Sequence, residues 1–308
     1  MLSPKGLGSN PAPPFGGLGM WKTLRKYRIP YLFISPFFIL FLLFQLIPVI
    51  WTGYISFTDW NGLKKPVWTG WANYQLMFDD YMFRDAFINT LVYWVFGVVG
   101  ILFFAMLIAL CLNNENLRGK KLFGTVSFLP YVCASVAMGL IFGMLFEENA
   151  GLVNAVLVSL GKKPVPWLNS SKYARIPVIL LFNWRIIPWF TVILLSGLLN
   201  IPKEYYEAAT VDGATPLQQF FKITIPMMRN IFFFCMMTIT VDTWKMFNES
   251  FTLHGPGSSN TSLFQLIYQY AFKTFKLGYA SALSMILILI LLAISLIQFR
   301  LRRRTGEI

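Results

Sequence analysis

The sequence predicts an all-α membrane protein built from six transmembrane helices, and three observations carry that reading. Hydrophobic residues make up 56% of the 308, mean hydropathy is +0.59 and charged residues reach only 13%, where a soluble domain has about 25%. The apolar residues gather in long runs, and a hydrocarbon core of about 30 Å needs about twenty of them per span. Windows 31–57, 86–112, 122–146, 176–199, 223–244 and 279–299 meet or approach that length, the fifth being the least clean. The basic residues behind the net charge of +13 flank these runs. They form no groove-like cluster among polar aromatics, which excludes nucleic acid and leaves the lipid bilayer as the partner that composition implies.

Taken in order, residues 1–19 are rich in Pro and Gly with almost no charge and read as a disordered tail. Segment 20–30 sets Lys22, Arg25, Lys26 and Arg28 beside Trp21, Leu24 and Tyr27, a mixture suited to anionic headgroups. No small-residue cleavage site follows the first apolar run, so no removable signal is expected. A single transmembrane domain then covers 31–306. Lys5, Lys22, Arg25, Lys26 and Arg28 before the first span, Arg118, Lys120 and Lys121 after the second, and Arg300, Arg302, Arg303 and Arg304 after the sixth are dense in short segments. Loops 58–85, 147–175 and 245–278 are longer and dilute their charges among polar residues, so both termini are expected in the cytoplasm.

The loops on the opposite side have their own signals. Thr58-Asp59-Trp60-Asn61-Gly62 begins with a turn, and Trp68, Trp71 and Tyr74 are placed like interfacial anchors. The run 151–157 has helical apolar spacing suited to lying on the outer surface. Gly255-Pro256-Gly257-Ser258-Ser259-Asn260 is expected to be a flexible turn cluster. Cys111, Cys133 and Cys235 lie inside apolar segments without paired spacing, so neither a disulfide frame nor a zinc site is indicated.

Loop 200–226, centred on EYYEAATVDGATPLQQFFKITIP from Glu204 to Pro226, is the longest polar interruption in the second half of the chain. Pro202 can open a helix there, and Glu204 and Glu207 suit the positive end of its dipole. Ala208 and Ala209 favour helix, Gly213 breaks it and permits left-handed backbone or close approach, and Pro216 and Pro226 punctuate the residues beyond. On local chemistry alone this is either a docking helix or an amphipathic loop resting on the membrane.

Glu207-Ala208-Ala209, Gly213 with nine residues between it and Ile223, and the closing Ile223-Thr224-Ile225-Pro226 resemble the EAA signature of permease subunits in binding-protein-dependent ABC importers, with Ile225 in place of the usual Leu. NTLVYW at Asn89, LRGKKLFGTVSFLP ending at Pro130, IPKEYYEAATVDGA, FNESFTLHGPG and YQYAFKTFKLGYASALS resemble the carbohydrate-uptake branch of that family, over about 31–298. The resemblance implies the type I ABC importer permease fold and a bacterial cytoplasmic-membrane location. It also implies that loop 204–226 is a coupling helix seated in a cleft of an ATPase, with Glu204, Glu207, Ala208, Ala209, Asp212, Gly213, Ala214 and Pro226 at the contact. The implied partners are a second homologous permease subunit, two ATPase subunits and an extracytoplasmic solute-binding protein.

The chain carries no visible catalytic constellation. Its one histidine, His254, lies in a Gly/Pro-flanked loop, and no metal-ligand spacing occurs. No phosphate-binding glycine loop occurs either, so no cofactor is expected here and ATP with its Mg2+ would be bound by partner subunits. Arg185, Asp242, Lys245 and Glu249 are the ionisable groups in or beside apolar spans. Either they pair by helical spacing, Asp242 with Lys245 and Lys245 with Glu249, or they mark a pathway. Asn183, Trp184, Trp189, Trp244 and Asn248 lie near them and complete a mixture of polar groups and aromatic faces suited to sugar. A self-sufficient secondary transporter or channel for a polar solute is the competing reading; it leaves the EAA spacing unexplained and has no evident inverted repeat.

Overall fold

The computed structural model describes residues 27–114 and 117–304. The expected tail 1–19 and residues 20–26 of the basic segment lie outside the described residues. By its internal packing the chain divides into two units, one ending at Trp51 and one beginning at Thr52.

Helix α1 (Arg28–Ile55) supplies what is described of the first unit and enters the second. It loosens into a π turn at Leu42–Leu46 just before Pro48, because proline has no N–H to offer the carbonyl four residues back. The same cause acts later, where the π turn Phe220–Thr224 precedes Pro226.

In the second unit a short antiparallel ribbon, β1 (Thr58–Asp59) with β2 (Val67–Trp68), pairs Thr58 with Trp68. Helix α2 (Ala72–Asp79) follows it, and Phe57, Trp68, Trp71 and Tyr74 gather into one aromatic cluster. Asp80 then starts α3 (Tyr81–Asn113) by accepting the Met82 N–H at 2.9 Å, satisfying a donor that the first helical turn leaves free. The core lies between α3 and α7 (Arg175–Leu199), where Tyr93, Ile101, Ala105 and Ala109 pack against Leu181, Phe190, Leu194 and Leu198. Small residues on α3 allow the backbones to approach, the usual device where lipid removes the hydrophobic drive between helices.

The third window is not one continuous helix. It forms α4 (Lys120–Val132) and α5 (Ser135–Leu145), bent by 97° at the break. Pro130 removes a ladder donor near the end of α4, and Cys133 and Ala134 both adopt extended ψ angles, 146° and 123°, which turn the chain. With that pair counted as one span, the five helices among the described residues that are long and apolar enough to cross a membrane become six.

Helix α6 (Leu152–Ser159) forms where apolar spacing predicts it, and buried Asn154 ties it to the segment after it through Val165 and Trp167. After α7 come α8 (Lys203–Val211), α9 (Pro216–Gln219) and α10 (Ile225–Trp244). A break at 245–247 leads to α11 (Asn248–Thr252), and α12 (Leu263–Tyr268) and α13 (Leu277–Arg304) close the described chain.

Loop 253–262 corrects the reading of 255–260 as flexible. Ser258 and Asn260 are buried, the Asn89 amide donates to the carbonyls of Ser258 and Thr261 at 2.8 and 2.9 Å, and Tyr93 donates to the Asn260 carbonyl at 2.8 Å. Arg175 closes the network by donating to the Asn89 side-chain oxygen at 2.6 Å. His254 is exposed, as a loop histidine should be.

Candidate functional site

The residues expected from sequence to concern function fall in two groups: the polar elbow between α7 and α10, and the ionisable and aromatic groups within the spans.

The elbow is rigid by its own hydrogen bonds. Helix α8 ends when Ala214 N–H reaches back to the Ala209 carbonyl at 2.9 Å and Gly213 N–H to Thr210 at 3.0 Å. That double closure requires left-handed backbone at Gly213, whose φ is +77° and whose missing Cβ would meet nothing within 4 Å. Of the two roles open to Gly213 from sequence, the fold itself uses the left-handed conformation. Thr215 and Gln218 then cap α9 reciprocally, and Gln219 bridges back to Thr210 at 2.9 Å. The Tyr206 and Thr224 hydroxyls, 2.8 Å apart, fasten the elbow to the base of α10. Glu204, Glu207, Ala208, Asp212, Gly213 and Pro226 remain exposed, with Ala209 and Ala214 half-buried beneath them. Val211 and Leu217 on the elbow are 89% and 68% exposed.

Within the spans the expected residues do not form a single cluster. Arg185 on α7 and Glu249 on α11 do meet, at 2.8 Å. This corrects the expected pairing of Lys245 with Glu249: the break at 245–247 removes the helical four-residue relation, and Lys245 is exposed beside an exposed Asp242. Trp184 lines a cavity of about 580 Å³ at the α4–α5 bend with Phe104, Pro130, Cys133 and Met138, and Trp189 stacks on Tyr131 at 5.3 Å. Asp242 lines a different cavity of about 540 Å³ with Asn230, Phe234, Thr238, Phe299 and Arg302. Asn183 donates to the Ile179 carbonyl while its own carbonyl oxygen lies buried against Gly100. Trp244 is fully buried among Phe87, Trp94, Leu263 and Leu287, so it packs the core; Asn248 is half-buried at the start of α11.

Sequence reasoning passed over the Asn89–Arg175–Asn260 network. The available signal was Asn89 and Tyr93, four apart on an apolar helix, since polar groups so placed must find partners.

Residues 101–307 match the family model described as "Binding-protein-dependent transport system inner membrane component". The arabinooligosaccharides transport system permease protein AraP of Bacillus subtilis (strain 168) is 30% identical over 95% of this chain and 95% of its own length. The lactose transport system permease protein LacF of Rhizobium radiobacter is 30% identical over 87% of this chain and 92% of its own. Among solved structures, a chain of the bacterial alginate ABC transporter in complex with alginate pentasaccharide-bound periplasmic protein superposes with a TM-score of 0.80. It shares 22% identity and covers 94% of this chain and 98% of that one. That likeness establishes the fold as that of a type I importer permease.

Proposed function

The chain belongs to the family of binding-protein-dependent transport system inner membrane components, a family of transport permeases rather than enzymes, and from that premise we propose that it is one permease subunit of an ATP-driven carbohydrate importer. Its permease domain is 31–306, and it lies in a bacterial cytoplasmic membrane with both termini inside. It pairs with a second, homologous permease, rests on two ATPase subunits that bind ATP and Mg2+, and receives an oligosaccharide or sugar derivative from an extracytoplasmic binding protein. The relatives named for arabinooligosaccharides and lactose support the cargo class.

The observation that carries the coupling role is the elbow at α8–α9. Its internal hydrogen bonds and the bridge to α10 make it stiff, yet it presents Val211 and Leu217 to solvent. A stiff projection with unsatisfied apolar tips is suited to enter a partner's cleft and transmit its movement to α7 and α10. Glu207 is the polar anchor against basic groups of that partner, and Ala208, Ala209 and Gly213 keep the approach close. In the spans, Trp184, Trp189 and Asn183 on α7 and Asp242, Lys245 and Asn248 on and after α10 supply the aromatic faces and hydrogen-bonding groups for passage. Arg185, Glu249 and Trp244 hold these helices in place.

Reconstitution of the full assembly into liposomes tests this reading. ATP-dependent oligosaccharide uptake is expected with the wild-type chain and lost with Gly213→Arg while membrane insertion persists. Uptake by this chain alone, without ATPase subunits, would favour the self-sufficient transporter.

A further inference from the structure

Two clefts at the end of the fold that holds the β1–β2 ribbon remain without a use. One, of about 230 Å³, is lined by Asp79, Asp80, Tyr81, Tyr270, Lys276 and Tyr279; the other, of about 480 Å³, by Asp59, Thr69, Asn73 and Gly278. Leu76, Lys276 and Tyr279 line both, so they form one groove between α2 and the start of α13.

Its floor is prebuilt. One oxygen of Asp80 accepts the Tyr270 and Tyr279 hydroxyls, each at 2.8 Å, while the other caps α3 at Met82. Burial, and then the bond to Asp80, push the Tyr270 hydroxyl above the ordinary phenol value, so it stays a donor. Asp80 is therefore satisfied, and the groove's remaining charges are Asp59, Asp79 and Lys276. All three are exposed, and none makes an ion pair among the described residues. The groove offers carboxylates and an ammonium that form no ion pair with one another.

Its height is also defined. Helix α13 has 28 residues; at about 1.5 Å each it rises about 42 Å, leaving about 6 Å beyond each edge of a ~30 Å hydrocarbon core. Centred on such a core, the helix puts Lys276 and Tyr279 at its start in the headgroup layer. Trp68, Trp71 and Tyr81, all more than 60% exposed on the same end, fit the aromatic belt of that layer.

We propose that this groove binds the ethanolamine-phosphate headgroup of an aminophospholipid, its ammonium on Asp79 and its phosphate on Lys276. A zwitterion matches a cleft of mixed sign, and a primary ammonium brings three N–H donors for the carboxylates. A choline head has the charge without those donors, and a glycerol head has no cation. The site is independent of the cargo the protein carries.

The test uses the full-length chain in its membrane assembly, taken from nanodiscs of mixed phosphatidylethanolamine, phosphatidylcholine and phosphatidylglycerol, with retained lipid read by native mass spectrometry. The wild type is expected to retain phosphatidylethanolamine about tenfold over phosphatidylcholine, the effect of losing a charge-assisted hydrogen bond. Asp79→Asn should erase that preference and Lys276→Gln should lower retention of both lipids alike, each with an unchanged unfolding temperature. Equal retention of the two lipids by the wild type, wild-type preference in Asp79→Asn, or undiminished retention of both lipids in Lys276→Gln would overturn the proposal. Should a variant fail to assemble, the N-methylated series from ethanolamine to choline on the wild type decides: retention must fall as N–H donors are removed, and a flat series contradicts the site.

Discussion

Arg185 on α7 and Glu249 on α11 meet at 2.8 Å with the Glu249 side chain only 3% exposed. The pair joins a long span to the short helix that turns the chain back after α10, so it fixes the return of loop 253–262. Removing one partner leaves a buried charge uncompensated, which costs roughly 3 kcal/mol or more. Glu249→Gln is expected to lower the unfolding temperature of the purified assembly clearly, and Arg185→Met with Glu249→Met to recover most of the loss. Calorimetry or a thermal-shift assay on the three proteins checks this, and a fully stable Glu249→Gln would show that the pair is dispensable.

Asn260 holds loop 253–262 from within. It accepts the Gly255 N–H and donates to the carbonyls of Leu253 and Ala174, and its own carbonyl receives the Tyr93 hydroxyl. Asn260→Ala leaves several buried groups unpaired at roughly 1–3 kcal/mol. Faster cleavage within 253–262 under limited proteolysis is the expected result.

Gly278 sits where a methyl group would strike the Thr58 carbonyl, a backbone atom that cannot swing aside. Gly278→Ala should cost about 1–3 kcal/mol through displacement of the ribbon from α13. The aromatic cluster at Phe57, Trp68 and Trp71 reports it, by a change in tryptophan fluorescence.

Asp242 and Trp244 are two residues apart and should respond differently. Asp242 is exposed to a cavity, while Trp244 is wholly buried. Asp242→Asn is expected to reduce uptake with stability intact, and Trp244→Ala to cost about 3–5 kcal/mol of stability. Paired uptake and unfolding measurements separate the two effects.

The spans, the elbow and helix α6 were legible in the sequence because each rests on local chemistry: run length, proline and glycine placement, and periodicity. The 97° bend was not, since Pro130 alone permits either a kink or a straight helix and the extended angles at Cys133 and Ala134 depend on packing. The Lys245–Glu249 pairing that spacing allowed does not form for a related reason: spacing along one helix is visible in sequence, but a break at 245–247 hands the carboxylate to another span. Loop 255–260 has the composition of a flexible turn, and only the third dimension brings Asn89, Tyr93 and Arg175 to it.

Site-specific crosslinking from Val211 tests the coupling role most directly, because its side chain is 89% exposed at the tip of the elbow. With Val211→Cys carrying a short crosslinker in the intact assembly, the expected product joins this chain to an ATPase subunit, and its yield changes between nucleotide-free and ATP-bound states. An assembly that transports normally yet gives no such product, or gives one with the solute-binding protein instead, would contradict the account.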